Sequence, residues 1–477
     1  LTAGTDRNSS IAVTRPPPSR DEVDPAGRFR GNVRPAKSSR SRLVQGTEGR
    51  PHTAATRHAS VLRIIDCMRF INLAFAMLAW AVISPLGAQP AATSVAKIVG
   101  ERHKLLLGTD GQVVGWGAFD DGQLGTAGGS NRLDAGFSLP VSIPLPGRAT
   151  DVAAGDGTSY ALLADGAVVA WGRADAGQMG NGSRSSRDFS KPFQNGVASP
   201  VRVDGLADVV QIAAAGGSAL ALHRDGSVSA WGSRDAGVIG DGLHPKRHGE
   251  SGPPATTPVR VPGVSGVVQL STSGAHALAL TGDGRVLSWG SNHHGALGRP
   301  PRQELPMDQA AEVPGLTDVI AVAAGQGVST ALKKDGTVWV WGANWHGQFG
   351  NGSRTDPPGM TSGFELVPQR VPGVSGVTAL AVGLTGRHTL VLLKDGTLRG
   401  WGNTDWGQIG AGVAATFQLT PVVPKITGVK TILAAGNHSF AIKSDGSVWG
   451  WGEGGPRSWP LKANTPLPVR LELALPR

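Results

Sequence analysis

Seven times along the chain a tryptophan is followed by glycine: at Trp116, Trp171, Trp231, Trp289, Trp341, Trp401 and Trp451, separated by 55, 60, 58, 52, 60 and 50 residues. A period of that size marks a repeat architecture, in which each unit is one supersecondary piece and neighbouring units complete each other's core. Each Trp-Gly closes a longer motif, such as DGQVVGWG from Asp110, DGAVVAWG from Asp165 and DGTVWVWG from Asp335; the others begin at Asp225, Asp283, Asp395 and Asp445. A second apolar run precedes the motif (SYALLA from Ser159, HALALT from His276, HTLVLL from His388). A third precedes that (VVQIAAAG from Val209, VIAVAAG from Val319). A fourth run carries Pro and Val, as in PVRVDG from Pro200, PVRVPG from Pro258 and PQRVPG from Pro368.

Within these runs the apolar residues recur at every second position, which is the period of a strand and not of a helix. The Asp-Gly pairs lie between two such runs, where a tight hairpin turn needs a residue able to take positive φ. Each unit therefore predicts four short strands. One small sheet leaves both faces bare, whereas seven arranged radially cover one another and leave few open edges. The expectation is an all-β chain, a seven-bladed β-propeller over residues 96–477. The last unit ends in PLPVRLELAL from Pro466, a strand expected to pair with the first blade and close the ring. Composition agrees. The 70 glycines follow no three-residue period, which excludes collagen, and 17% charged with 40% hydrophobic residues is not the profile of a disordered chain.

The units resemble the repeats of the regulator of chromosome condensation (RCC1-like) family, most of all its secreted bacterial members. The resemblance rests on WGANWHGQFGNG from Trp341, WGNTDWGQIGAG from Trp401 and AAGNHSFAI from Ala434, and it extends over about 380 residues. It implies a seven-bladed propeller. It implies no single activity, because the family includes exchange factors for a small GTPase, domains of signalling proteins and secreted proteins. The chain departs from the family pattern in the second and third units, where the usual histidine is missing, and in the last, where GEGG from Gly452 replaces the long loop.

Residues reused around a ring are assigned to architecture, since a catalytic group occurs once per site. The seven Trp-Gly tryptophans are expected to pack between blades. His103, His276, His388 and His438, which share a repeat position, are expected to be satisfied by hydrogen bonds and not to bind metal. The Asp-Gly aspartates are expected to make turns and not to hold calcium. The functional signal lies where units differ. The two residues before each GQLG-like turn are Asp120-Asp121, Asp175-Ala176, Asp235-Ala236, His293-His294, Trp345-His346 and Asp405-Trp406. Repeat geometry projects them from one face, so His293, His294, Trp345, His346 and Trp406 form an aromatic sector. Asp120, Asp121, Asp175 and Asp235 form an acidic one, with Asp405 beside Trp406. Residues 183–199, 241–257 and 353–367 are long, polar loops of the kind that carry recognition.

No GxSxG, HExxH or phosphate-loop motif is present, and the single cysteine, Cys67, precedes the propeller. No catalytic residue, metal site or cofactor is assigned. Residues 1–67 carry twelve Lys/Arg against six Asp/Glu and are expected to be a disordered basic arm or upstream sequence outside the mature protein. The rest of the chain is nearly neutral, so no nucleic-acid footprint is expected. Residues 68–88 have the plan of a signal peptide: a basic start at Arg69, an apolar run, then small residues near a cleavage point at Ala88. A membrane anchor is the competing reading. Residues 89–95 are a short linker. The function expected is non-enzymatic binding by a monomeric secreted, periplasmic or cell-surface protein. Its partner is a protein or an envelope ligand, held on the loop face. The alternatives are a guanine-nucleotide exchange factor or chromatin-type regulator, and a cell-envelope polysaccharide enzyme.

Overall fold

The computed structural model describes residues 94–473 apart from 126–131, 134–136, 187–195, 244–251, 301–307, 356–363, 384–386, 413–414 and 456–459. The expectations for the arm, the signal segment and most of the linker lie outside the described residues, as does much of each long loop.

Seven antiparallel sheets follow one another along the chain, spanning 95–142, 149–202, 209–260, 267–312, 319–370, 377–422 and 429–470. They are blades 1 to 7. In blades 2 to 7 strands run in order from the innermost to the outermost, each beside its predecessor. The first blade adds a two-residue strand, Arg132–Leu133, outside its fourth, and the outermost strand of blade 4 is only Ala311–Glu312.

The second and third strands of each blade are almost wholly buried because both of their faces are covered by neighbouring blades. The innermost strands alternate, with apolar residues such as Val152, Ile212 and Leu270 turned inward. Polar side chains on these strands tie blade to blade. Gln211 donates to the Leu270 carbonyl (2.9 Å) and accepts the Leu270 N–H (2.8 Å), and Gln269 treats Val322 of the next blade in the same way. Asp151 accepts both Lys97 Nζ (2.5 Å) and the Ile212 N–H (3.1 Å), joining three blades.

The Trp-Gly pair has a backbone cause. In six blades the pairing of the third strand with the strand outside it slips at this point, a β-bulge. The glycine takes φ between 97° and 113° in all seven copies. A Cβ on Gly172 would lie 2.3 Å from the Gly157 carbonyl oxygen, so only glycine lets the two strands approach. The Asp-Gly turns also meet expectation: Gly111, Gly166 and Gly226 all have φ near 80° (79°, 83° and 79°).

One expectation is corrected. The last strand, Thr465–Arg470, pairs with Val448–Gly452 of its own blade and not with blade 1. Blade 1 already holds its full set from Val95 onward, so no place for an exchanged strand exists. The ring closes by packing: Val95, Ile98, Leu106 and Trp116 of blade 1 share a core with Ala435, Phe440, Val448 and Leu471 of blade 7.

Candidate functional site

Removing what the repeat itself requires isolates the site. All seven Trp-Gly tryptophans are at most 1% exposed. Each indole described with a partner donates Nε1–H to a carbonyl of the preceding blade's GQLG-like turn: Trp171 to Gln123, Trp231 to Gln178, Trp289 to Val238, Trp341 to Ala296, Trp401 to Gln348 and Trp451 to Gln408. The histidines join the same device. His103 Nε2 lies 2.8 Å from Ser159 Oγ, whose proton goes to the Gln123 carbonyl (2.8 Å). The serine's one proton is thereby spent, so Nε2 is the nitrogen that carries hydrogen. His276–Ser329–Ala296 and His388–Ser439–Gln408 repeat the chain at blades 4–5 and 6–7. Burial holds these rings neutral, pushing His103 down to about 3 and His276 and His388 to about 4.

The seventh seam breaks the rule. The residue facing His438 is Lys104 instead of serine. His438 is 1% exposed and neither ring nitrogen makes a well-formed hydrogen bond, although the Ala435 backbone is close. Lys104 is 7% exposed, donates to the Glu101 carbonyl, and is lowered to about 8, first by burial.

The variable pairs before the GQLG-like turns are held by the turn's own glutamine. In blades 1, 2, 5 and 6 its side-chain oxygen accepts the backbone N–H of the second variable residue: Gln123 from Asp121, Gln178 from Ala176, Gln348 from His346, Gln408 from Trp406, whereas blades 3 and 4 carry Val238 and Ala296 in its place. Fixing that peptide leaves the side chains free to project. In blades 4 and 5 they assemble. His294 meets Trp345 edge-on at 4.5 Å between centroids, and Phe364 closes the cluster at 5.4 Å from His294 and 6.2 Å from Trp345. His293 stands exposed beside His294, at 6.5 Å. His346 packs on Phe417 at 5.8 Å, and the Arg354 guanidinium lies over the same ring at 4.8 Å. Burial lowers both His294 and His346 from the ordinary histidine range. Trp406 is 38% exposed and borders a groove of about 510 Å³ toward blade 7, with Asp405, Thr416 and Asn464 on its walls.

The acidic sector is less uniform than its sequence. Asp121 is 3% exposed and so is not a surface residue. Asp175 is paired with Arg173 at 2.7 Å and receives Gln178. Asp120 receives Gln123 and faces Arg102 at 3.6 Å. Asp235 and Asp405 are exposed, Asp405 accepting from Asn403. Arginines thus take up the charge of Asp120 and Asp175.

Phe364, Phe417 and Arg354 were not singled out from sequence. Phe364 and Phe417 each open the outermost strand of their blade, a shared repeat position that stands against the preceding blade's variable pair, and alignment of that position would have found them. Sequence reading also passed over a serine–histidine contact on the opposite face, between Ser229 and His223.

Among the described residues no group of three His, Cys, Asp or Glu could hold a metal ion. The Asp-Gly aspartates serve their own turns: six Oδ1 atoms accept the N–H two residues on, as in Asp225 with Ser227 and Asp335 with Thr337, and Asp283 instead accepts the Thr281 hydroxyl.

A family model described as RCC1-like domain matches residues 194–458, and models of the regulator of chromosome condensation (RCC1) repeat match 110–162, 165–222 and 149–178. The ultraviolet-B receptor UVR8 of Arabidopsis thaliana is 29% identical over 314 residues, 64% of this chain and 66% of the receptor. The E3 ubiquitin-protein ligase HERC2 of Mus musculus is 27% identical over 365 residues, 73% of this chain and only 7% of the ligase. The chain thus spans less than two thirds of either relative's length. Among solved structures, yeast RCC1 (Prp20) bound to Kap60 superposes with a TM-score of 0.62 at 22% identity, covering 81% of this chain and 90% of that one. Human WBSCR16 gives 0.59 at 22% identity, covering 73% and 86%.

Proposed function

Because this chain belongs to the RCC1-like domain family, we propose that it is a binding propeller whose loop face grips a protein partner through the sector of blades 4 to 6. The observation that supports this is the His294–Trp345–Phe364 cluster, continued by His346 and Phe417 and by the exposed Trp406. Rigid aromatic side chains beside a guanidinium are the composition of interface anchors. The family adds no particular activity: the relatives' names describe a light receptor and a ubiquitin ligase, and one fold carries many functions.

Residues 68–88 support export, with the protein acting in the periplasm, at the cell surface or outside the cell. Guanine-nucleotide exchange or chromatin-type regulation is the alternative. Polysaccharide cleavage has less support.

Two experiments test the proposal. N-terminal sequencing of the protein from its native host, with fractionation, should find a product beginning near Gln89 outside the cytoplasm; an intracellular product retaining residues 1–67 would favour the regulatory alternative. Once a partner is captured, Trp345→Ala and Trp406→Ala should each weaken binding by about 2 kcal/mol or more. Unchanged affinity in both variants would contradict the assignment of the face.

A further inference from the structure

A catalytic group occurs once per ring, so the positions to search are those where one blade alone carries reactive side chains. His223 ends the second strand of blade 3, Ser218–His223, and Ser229 is the second residue of its third, Val228–Gly232. They flank the Asp225–Gly226 turn on the face opposite the variable loops. At the same two positions blades 5 and 7 place Lys333 with Trp339 and Lys443 with Trp449, stacked as cation–aromatic pairs at 5.6 and 5.2 Å. Blade 2 has Leu163 and Val169, and blade 4 has Thr281 and Leu287. Only blade 3 has a hydroxyl opposite an imidazole.

The contact has a defined polarity. His223 Nδ1 is 2.7 Å from the Ala207 carbonyl oxygen, which can only accept. In the neutral ring Nδ1 therefore carries the hydrogen, and Nε2 is left with its lone pair. Ser229 Oγ lies 2.8 Å from Nε2 and donates to it. In the relays of the blade seams the serine proton goes to a carbonyl; here it goes to a base. A nucleophile bonded to a base, and a base oriented by a third group, is the arrangement that activates a serine. The left-handed turn at Asp208 (φ 50°) that presents Ala207 recurs at Asp318 (φ 58°), so the orienting carbonyl belongs to the repeat and the imidazole is what blade 3 adds. Ser229, although 8% exposed, lines a cavity of about 640 Å³ together with His223, and Arg224 and Arg260 stand on its walls.

We propose that Ser229 and His223 form a nucleophilic acyl-transfer site for short-chain esters, independent of the loop face. Ser229 Oγ attacks the ester carbonyl carbon while its proton passes to His223 Nε2. The oxyanion forms beside the cavity's guanidinium groups. Collapse expels the alkoxide, which takes the proton from Nε2 and leaves as the alcohol, with Ser229 acylated. Water, deprotonated by the same nitrogen, then releases the carboxylic acid and restores the serine. The walls are Gly205, Ala207 and Pro258 besides charged residues, with no apolar channel for a long acyl chain.

The test uses the whole chain, an alkyl fluorophosphonate and p-nitrophenyl acetate. Mass spectrometry should place one fluorophosphonate adduct on Ser229, and ester hydrolysis should fall about 100-fold or more in Ser229→Ala and in His223→Gln. Ile320→Ala, at an exposed residue of blade 5 outside both sites, should leave both readouts unchanged. The labelling needs only the unaltered protein, so a variant that misfolds cannot blur the outcome. Folded wild-type protein that takes no adduct at Ser229, or that hydrolyses the ester no faster than Ser229→Ala, would overturn the proposal.

Discussion

At the residue scale, the seams are governed by one accounting rule: a buried polar atom must find a partner. His103, His276 and His388 occur where the next blade offers Ser159, Ser329 and Ser439. Blade 2 has Thr158 in the histidine position, and the facing residue, Ala219, has no hydroxyl. The seam of His438 and Lys104 lacks this match. Lys104→Ser should therefore raise stability by about 1 kcal/mol or more, by removing a buried ammonium and giving His438 a hydroxyl; a lower urea midpoint would mean that the bond from Lys104 to the Glu101 carbonyl holds the seam. The neutral buried histidines also set a pH dependence. Their folded values, about 3 to 4, lie below the unfolded value of about 6.5, so the unfolded chain binds more protons between those limits. Their contribution is fully present above about pH 6.5 and is lost as pH falls toward 4, at up to about 1.4 kcal/mol per pH unit for each ring. Denaturant midpoints measured from pH 7 to 4 should fall. A flat profile over this range would contradict the burial of these rings in neutral form.

At the scale of strands and turns, the sequence was legible wherever period and punctuation act together. Alternation located the three inner strands of each blade, and Asp-Gly located the hairpins. The Trp-Gly pairs were legible as anchors, but not as bulges, because the close approach of Gly172 to the Gly157 carbonyl joins residues fifteen apart through a strand pairing. Gly172→Ala should cost about 3 kcal/mol or more, since it combines a left-handed φ with a backbone clash; a melting temperature within a degree or two of wild type would contradict the geometry. The variable pairs stand out in sequence because they precede one kind of turn, whereas their neighbours carry no such mark. Phe364 lies 19 residues beyond Trp345 and 70 beyond His294, Phe417 lies 71 beyond His346, and the Arg173 that neutralises Asp175 belongs to a strand. Pairwise complementarity of this kind has no periodic signature.

At the scale of the whole molecule, the ring divides labour between its faces. The loop face carries the blade-specific aromatic residues, because the repeat fixes the backbone before the GQLG-like turn, through a glutamine in blades 1, 2, 5 and 6, and not the side chains there. The opposite face carries the Asp-Gly turns and the Ser229–His223 pair. Closure of the ring was the feature least legible in sequence. The final Pro-Val strand could belong to either end of the chain, and only its pairing with Val448–Gly452 places it in blade 7. A ring closed by packing alone puts the whole burden of closure on the blade 1–7 core and on the seam that lacks a matched serine.

The central claim is that partners are held by blades 4 to 6 on the loop face. It is tested most directly by placing a photo-crosslinking amino acid, in separate full-length proteins, at Trp406, at His293 and at Val268, an exposed residue on the opposite face. Irradiation in the native host should trap the same protein from Trp406 and His293, with none from Val268, and Trp345→Ala should abolish the adducts. Adducts from Val268 alone, or adducts indifferent to Trp345→Ala, would contradict it.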